Sequence, residues 1–127
     1  MLYRLFCDLL VVDDEANYRW LLKDYFKQRI QGIKIKVAKD GEEGYSLALN
    51  FRPRIIWTCI RMPRINGLEL IKLIKENPDI KNAKIIVFSG YGSEEMKNQV
   101  LGLGANVFFQ KPGNLDDMLA KVTDFLK

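Results

Sequence analysis

The sequence predicts an α/β fold, a doubly wound parallel sheet covered by helices on both faces in three αβα layers. Short runs of apolar residues recur along the 127-residue chain, and each is followed by a segment with apolar residues at helical spacing. The runs are continuous rather than alternating, which is typical of strands buried on both faces. Together these two observations predict five strands that alternate with five helices.

The first strand is predicted over Leu5–Val12, an apolar run that only Asp8 interrupts. A helix follows, ended by Gly32, because apolar side chains recur three and four positions apart. These side chains are Tyr18, Leu21, Leu22, Tyr25, Phe26 and Ile30. The second strand is predicted to have one wetter face, since isoleucine and valine alternate with lysine over residues 33–37.

The middle of the chain is predicted to hold the second helix and the third strand. A turn at Asp40-Gly41 leads into a helix over about residues 42–50, and Pro53 breaks the chain after it. The third strand is predicted over Ile55–Cys59. We expect its bulky Trp57 to pack in the core under a helix rather than to act in a site.

The second half of the chain repeats the alternation. A helix over about residues 67–75 ends at Asn77-Pro78, and residues 85–88 are the clearest apolar strand of the sequence. Serine and asparagine are good helix N-caps, so Ser93 and Asn114 are expected to begin the last two helices. A fifth strand is predicted between them, over residues 107–109, after Gly102 and Gly104 close the fourth helix.

Composition and charge exclude several classes of protein. The net charge is +4, but the lysines are scattered without an arginine-rich block, so we do not expect direct nucleic-acid binding. No apolar run approaches the ~20 residues of a membrane span, and aspartates interrupt the early apolar segment that a secretory signal would need. We expect a cytoplasmic protein without a membrane partner, forming one domain over residues 1–127, either complete or excised from a longer chain.

Four predicted strand ends carry reactive or charged groups: Asp13-Asp14, Cys59, Ser89 and Lys111-Pro112. Ligands of parallel α/β sheets bind outside the carboxyl ends of the strands, so these groups are predicted to converge on one small site. Adjacent carboxylates repel each other and attract a hard divalent cation, with Mg²⁺ the expected one. Lys111 offers a positive charge for an anion or for the carboxylates, and Ser89 offers a hydroxyl.

Four segments, in this order and spacing, resemble the receiver domain of two-component response regulators across almost the whole chain: "LLVVDDE", "IRMPRINGLEL", "VFSGYGSEE" and "GANVFFQKP". The resemblance implies a flavodoxin-like (βα)5 sheet with strand order 2-1-3-4-5. It also implies a signalling switch in a phosphorelay rather than an enzyme. The implied partners are a sensor histidine kinase or another signalling protein, and an output domain or downstream protein bound through the last two helices.

The resemblance assigns a metal site to the first and third strand ends. Asp13 and Asp14 would be the acidic pair that holds Mg²⁺, with Asp14 the more direct ligand. The backbone carbonyl of Arg61 would complete the protein side of that site.

The resemblance assigns the switch to the fourth and fifth strand ends. Ser89 would be the hydroxyl that reaches for a phosphoryl oxygen, and Lys111 would pair with the phosphoryl group. Phe108 stands at the aromatic switch position, which is often tyrosine in the family, and it cannot make the hydrogen bond of a hydroxyl. Pro112 is expected to follow a cis peptide bond.

Cys59 is the departure from the family pattern, because an aspartate that accepts the phosphoryl group is expected three residues before Met62. Phosphoryl transfer needs a carboxylate nucleophile, and a thiol is a soft ligand badly matched to Mg²⁺. The two nearby aspartates should raise the pKa of the thiol while Lys111 lowers it. We therefore predict no phosphorylation and only weak Mg²⁺ binding.

Several interpretations of Cys59 remain open from the sequence. It is a small hydrophobe at a strand end, an engineered Asp→Cys substitution, a redox or soft-metal sensor thiol, or a site of phosphorylation on sulfur. A thiol enzyme or sensor lacks support, because the chain has no histidine and no Cys-x-x-Cys pair. A disulfide with Cys7 is excluded, since the two thiols are expected roughly 20 Å apart. A nucleotide or flavin at the end of the first strand is disfavoured by Asp13-Asp14, which replace a glycine-rich loop.

Overall fold

The computed structural model describes residues 6–127, and its strands and helices alternate along that part of the chain. The strands are β1 (Leu9–Val12), β2 (Ile35–Ala38), β3 (Ile55–Thr58), β4 (Lys84–Ser89) and β5 (Val107–Gln110). The helices are α1 (Ala16–Arg29), α2 (Gly41–Phe51), α3 (Gly67–Glu76), α4 (Glu94–Leu103) and α5 (Leu115–Phe125). All strand pairs are parallel and their order is β2-β1-β3-β4-β5, so the predicted flavodoxin-like sheet is confirmed.

Every strand differs from its predicted bounds by one or more residues. β2 covers Ile35–Ala38 instead of residues 33–37, and β4 and β5 extend beyond residues 85–88 and 107–109 to Lys84–Ser89 and Val107–Gln110. Leu5, the predicted start of the first strand, lies outside the described residues, and the ladder begins only at Leu9. Just before β1, the Lys34 N–H donates to the Asp8 carboxylate at 2.8 Å. This N–H therefore bonds to a side chain instead of to a backbone carbonyl of the neighbouring strand. The third strand ends at Thr58 rather than at Cys59, which places the thiol in the loop that follows.

The helix caps follow the local sequence with two exceptions, at Gly32 and Gly102. Gly32, expected to end the first helix, lies three residues beyond Arg29, where α1 ends. Asn66 and Glu69 form a reciprocal capping box at the start of α3, and the Ser93 and Asn114 side chains cap α4 and α5 as predicted. Gly104 closes α4 in the left-handed conformation at φ 118°. Gly102, expected to close the same helix, lies inside it instead, because the helix continues to Leu103.

The sheet separates two hydrophobic cores of different character. The core under α2, α3 and α4 is aliphatic, with Leu70, Ile71 and Ile74 of α3 at its centre. The core under α1 and α5 is aromatic, and the fully buried Trp57 contacts Phe26 and Phe88 edge-on at centroid distances of 5.6 and 5.4 Å. The prediction that Trp57 is a core residue is confirmed.

The register of the sheet aligns the strand ends that matter for the site. Val12 pairs with Ala38 and Thr58, and Thr58 pairs with Val87, so the residues that follow β1, β3 and β4 leave the sheet at one edge. Cys7 lies at the opposite edge, and both cysteines are free thiols, as predicted. Among the described residues, no helix combines the length and the apolar character that crossing a membrane requires.

Candidate functional site

The polar strand ends lie around one cavity at the carboxyl edge of the sheet. The cavity has a volume of about 400 Å³, and it is lined by Asp14, Glu15, Cys59, Arg61, Ser89, Gly90, Tyr91 and Lys111. Asp13 lies beneath it and is fully buried. Four strands, β1, β3, β4 and β5, contribute their last residue or the residues just beyond it, because all strands are parallel and run toward this edge.

Asp13 is a buried carboxylate with two partners. One oxygen, Oδ1, accepts the backbone N–H of Glu15 at 2.9 Å, and the other, Oδ2, lies 2.9 Å from the Lys111 ammonium. Burial raises the pKa of Asp13, although the hydrogen bonds from Glu15 and Lys111 oppose that shift. The carboxylate is therefore held in the floor of the cavity rather than presented to its mouth.

Lys111 joins the end of β5 to the end of β1. Its ammonium pairs with Asp13 and with Glu15, and its side chain is only 10% exposed. The same nitrogen lies 4.2 Å from the ring centroid of Tyr18 and 5.5 Å from that of Phe88, both cation–π contacts. Burial alone would lower the pKa of Lys111, but the hydrogen bonds to Glu15 and Asp13 outweigh burial and raise it.

Cys59 lines the cavity and is 3% exposed. Its thiol donates to the Arg61 carbonyl at 3.5 Å and lies 3.9 Å from Asp14 Oδ1. Burial is the largest cause of a raised pKa, and the Asp13 charge adds to it, so the pKa of Cys59 rises to about 12. The sequence correctly predicted that the aspartates raise the pKa of Cys59, but it did not reveal that burial raises this pKa more than they do.

The backbone at Cys59 is held independently of the thiol. Its N–H donates to the Val12 carbonyl at 3.0 Å, and its carbonyl accepts the Thr58 hydroxyl at 2.8 Å. Gly67, the first residue of α3, packs directly on that carbonyl, since an added Cβ would lie 2.3 Å from the oxygen. None of these three contacts involves the sulfur atom.

The donor set at this edge departs from what Mg²⁺ requires. Ligand atoms of Asp13, Asp14 and Cys59 lie within 4.8 Å of one another, and the Arg61 carbonyl is adjacent to the thiol. Mg²⁺ prefers oxygen ligands, whereas a protonated thiol of pKa about 12 offers neither charge nor a hard donor atom. The Lys111 ammonium already neutralises Asp13, which leaves the exposed Asp14 as the available carboxylate.

Ser89 and Tyr91 shape the wall formed by the end of β4. Ser89 is 4% exposed, and its hydroxyl oxygen accepts the Tyr91 N–H at 3.0 Å. The Tyr91 ring is half exposed and lies 3.7 Å below the Arg61 guanidinium, a cation–π contact that spans the cavity mouth. The Ser89 hydroxyl is thus engaged with its own loop, while Arg61 contributes a side-chain contact in addition to its carbonyl.

Phe108 lies behind that wall rather than in it. Its ring is partly buried against the aliphatic core, and a Cβ at Gly92 would lie 2.9 Å from its tip. Gly92 therefore leaves the room that the ring occupies beside the loop after β4. The Lys111–Pro112 peptide bond is cis, as expected.

Sequence reasoning missed two contributors to this site. Glu15, the third acidic residue of "VVDDE", pairs with Lys111, and its position directly after Asp13-Asp14 was the available signal. Tyr91 carried no signal, because its contact with Arg61 joins two loops that are distant in the sequence.

Comparison with known proteins gives one consistent result. The family model described as the response regulator receiver domain matches residues 9–123. A relative named probable chemotaxis protein CheY, from Rhizobium etli, is 30% identical over 115 residues, covering 90% of this chain and 88% of that protein. Sporulation initiation phosphotransferase F of Bacillus subtilis is 27% identical over 93% of this chain and 92% of its own length. The crystal structure of a response regulator receiver protein from Pseudomonas putida is 34% identical, with a TM-score of 0.82 and coverage of 98% of this chain and 99% of that one.

Proposed function

Because the chain belongs to the family of response regulator receiver domains, we propose that it is a partner-binding signalling module whose position 59 does not accept a phosphoryl group. Receiver domains are generally signalling modules rather than enzymes, and they interact with histidine kinases and with output domains. The single observation that carries the proposal is the buried Cys59 thiol, with its pKa of about 12, which lines the strand-end cavity beside Asp14.

The chemistry of transfer supports this proposal. A phosphoryl acceptor must be an ionised nucleophile when the donor arrives, and a pKa of about 12 leaves roughly one thiol in 10⁵ ionised at pH 7. Transfer also needs cationic groups free to neutralise the charge that builds on the phosphoryl oxygens. Of the two cations that line the cavity, Lys111 is already paired with Asp13 and Glu15, and the Arg61 guanidinium lies on the Tyr91 ring.

The remaining residues have roles that do not depend on transfer. Lys111 and Asp13 join the ends of β5 and β1, and Ser89 orders the loop after β4 through its bond to the Tyr91 N–H. We propose that signalling depends on which partner binds and how much of the chain is present. The binding surface would include α4 and α5, the two helices next to β5, and the partners would be cytoplasmic signalling proteins rather than nucleic acid.

Phosphoryl acceptance is tested by incubating the chain with acetyl phosphate and Mg²⁺ and measuring its intact mass. We expect no stable addition of a phosphoryl group to this chain. The Cys59→Asp variant is the matched control, because it restores a carboxylate at a backbone position that does not depend on the side chain. A phosphoryl adduct on the unmodified chain contradicts the proposal.

The same pair of proteins tests the metal preference. We expect Mg²⁺ to cause saturable shifts of the amide resonances around Asp14 in the Cys59→Asp variant. In the chain with Cys59, we expect the Mg²⁺ affinity obtained from these shifts to be at least ~10-fold weaker. Equal Mg²⁺ affinity in both proteins would show that the thiol is not what weakens the site. If neither protein binds Mg²⁺, the Lys111–Asp13 pair is the stronger obstacle.

A thiol-based redox or soft-metal sensor is the alternative function. The closeness of the Asp13, Asp14 and Cys59 ligand atoms favours it, whereas the raised pKa of Cys59 and its acidic neighbours oppose it. The test is the rate of alkylation by iodoacetamide as a function of pH. We expect the rate to rise throughout pH 7–10, while a plateau near neutral pH would favour the sensor.

A further inference from the structure

A second cavity lies at the amino edge of the sheet, opposite the site described above. It has a volume of about 410 Å³, within the ~300–1,000 Å³ of small-molecule pockets. Its charged and aromatic lining consists of Phe6, Arg52, Arg54, Asp79, Lys84 and Phe125. We refer to this cavity as the amino-edge groove. It is formed where the chain enters β1, β3 and β4 and where α5 ends.

The amino-edge groove is cationic, in contrast to the carboxyl-edge cavity. Three basic side chains, of Arg52, Arg54 and Lys84, line it with one carboxylate, Asp79, and a second carboxylate, Asp8, lies 3.8 Å from Arg54, so these charges sum to +1. At the carboxyl-edge cavity the basic Arg61 and Lys111 face the acidic Asp14, Glu15 and the buried Asp13, so the charges there sum to −1. An anion is therefore attracted to the amino edge and not to the acidic pair.

Arg52 and Arg54 are held in place by protein contacts, and some of their N–H donors remain free. Arg54 donates through Nη2 to the Leu126 carbonyl at the end of α5, at 2.7 Å, and its second nitrogen is 3.8 Å from Asp8. Half of that side chain is exposed, which leaves further N–H donors free. Arg52 sits at φ 44° after α2 and pairs with Asp79 at 3.4 Å. Guanidinium groups fixed in this way lose little freedom on binding an anion.

Capping of helix ends does not account for the whole groove. The bond from Arg54 to Leu126 is the ordinary pairing of a cation with helix C-terminal carbonyls. Lys84 has no carboxylate within 4 Å among residues 6–127, and its ammonium lies 5.8 Å from the Phe125 ring. Phe6 lines the same groove and is 61% exposed, so most of its aromatic side chain is accessible to a ligand.

We propose that the amino-edge groove binds a mononucleotide, with the phosphates held by Arg54 and Lys84 and the base stacked on Phe6. Basic side chains recognise phosphate through charge-assisted hydrogen bonds, and bases stack on aromatic rings whatever their sequence identity. The nucleotide lies at the far end of the sheet from Asp13 and Asp14, so it does not meet their repulsion. A small-molecule input of this kind suits a receiver whose position 59 does not take a phosphoryl group.

The test is a titration of the ¹⁵N-labelled chain with ADP, without added metal, followed through amide chemical shifts. We expect saturable shifts at Arg54, Asn82 and Ala83, with a dissociation constant of about 0.1–1 mM. Adenosine and inorganic phosphate, each carrying half of the recognised chemistry, should bind at least ~10-fold more weakly than ADP. Adenosine lacks the phosphates and inorganic phosphate lacks the base, and the loss of either group should weaken the affinity by a factor of this order.

Two surface variants and one control complete the test. Lys84→Gln and Phe6→Ala change exposed residues, so both variants should fold, and each should weaken ADP binding about 5- to 10-fold. Lys97→Gln, an exposed lysine on α4, is the matched control and should leave the affinity within ~2-fold.

Three outcomes would overturn the proposal. The first is an amide-shift titration that does not saturate by about 10 mM ADP, because that affinity would be too weak for specific binding. The second is a shift pattern centred on Asp14 and Lys111, which would place the nucleotide at the other edge. The third is equal weakening by Lys84→Gln and Lys97→Gln, or phosphate binding as tight as that of ADP, since either result indicates only general attraction to positive charge.

Discussion

The two faces of the sheet are built from different side chains, and Lys111 contacts only one of these two layers. The face under α1 and α5 is aromatic, and two of its rings, Tyr18 and Phe88, lie against the Lys111 ammonium. The face under α2, α3 and α4 is aliphatic and holds the partly buried Phe108. The Lys111 ammonium thus lies against the aromatic layer, whereas Phe108 packs against aliphatic side chains on the other face.

The largest expected effect on stability comes from Trp57→Ala, which removes the side chain at the centre of the aromatic layer. Trp57 is fully buried and contacts Phe26, Phe88 and Phe109. We expect a loss of about 3–5 kcal/mol in the free energy of unfolding, measured by urea denaturation with circular dichroism. Trp20→Ala, at a side chain that is 69% exposed, is the control and should change stability by less than ~0.5 kcal/mol. A loss of under ~1 kcal/mol for Trp57→Ala would mean that the aromatic layer is not what holds this face.

Gly67→Ala tests where the aliphatic face meets the site. An added Cβ would lie 2.3 Å from the Cys59 carbonyl oxygen, so either α3 or the loop after β3 must move. We expect a loss of about 1–3 kcal/mol and faster alkylation of Cys59, because the movement opens the cavity. Gly102→Ala is the matched control, since nothing lies within 4 Å of a Cβ there. Unchanged alkylation in Gly67→Ala would show that α3 does not position the thiol.

The Cys59 thiol belongs to neither face, and alkaline pH isolates its contribution. Its pKa rises from about 9 in the unfolded chain to about 12 in the fold, so above pH 9 the unfolded chain binds fewer protons than the fold. Stability should therefore fall as pH rises from 9 to 12, by up to about 1.4 kcal/mol per pH unit from this group. The measurement is the difference in unfolding free energy between the chain and Cys59→Ala across that range. Cys7, whose pKa rises to about 11, is present in both proteins and cancels. Parallel pH profiles would contradict the assigned shift.

The smallest expected effect comes from Tyr18→Leu, which removes one ring from beneath Lys111 while keeping an apolar side chain. The ring centroid lies 4.2 Å from the ammonium, and a partly desolvated cation–π contact contributes about 0.5–1 kcal/mol. We expect that loss in the free energy of unfolding together with a shift of the Lys111 Nζ resonance. Tyr45→Leu, on the aliphatic face, should leave the Lys111 resonance in place. Equal shifts of the Lys111 Nζ resonance in both variants would show that Lys111 does not depend on the aromatic layer in particular.

The sequence was sufficient for the order of elements, because continuous apolar runs and helical periodicity are local signals. It also predicted that Asp13, Asp14, Cys59, Ser89 and Lys111 meet at one edge, since parallel strands bring their carboxyl ends together. Burial is a collective property, however, and the extent to which it raises the pKa of Cys59 required the fold. The pairing of Lys111 with Glu15 and the stacking of Arg61 on Tyr91 join residues from separate loops, so local patterns did not reveal them.

The backbone contacts of Cys59 determine what a replacement at this position changes. Val12, Thr58 and Gly67 hold its peptide groups, and none of these three contacts uses the sulfur atom. A replacement at position 59 therefore changes the chemistry of the side chain without removing any of these three backbone contacts.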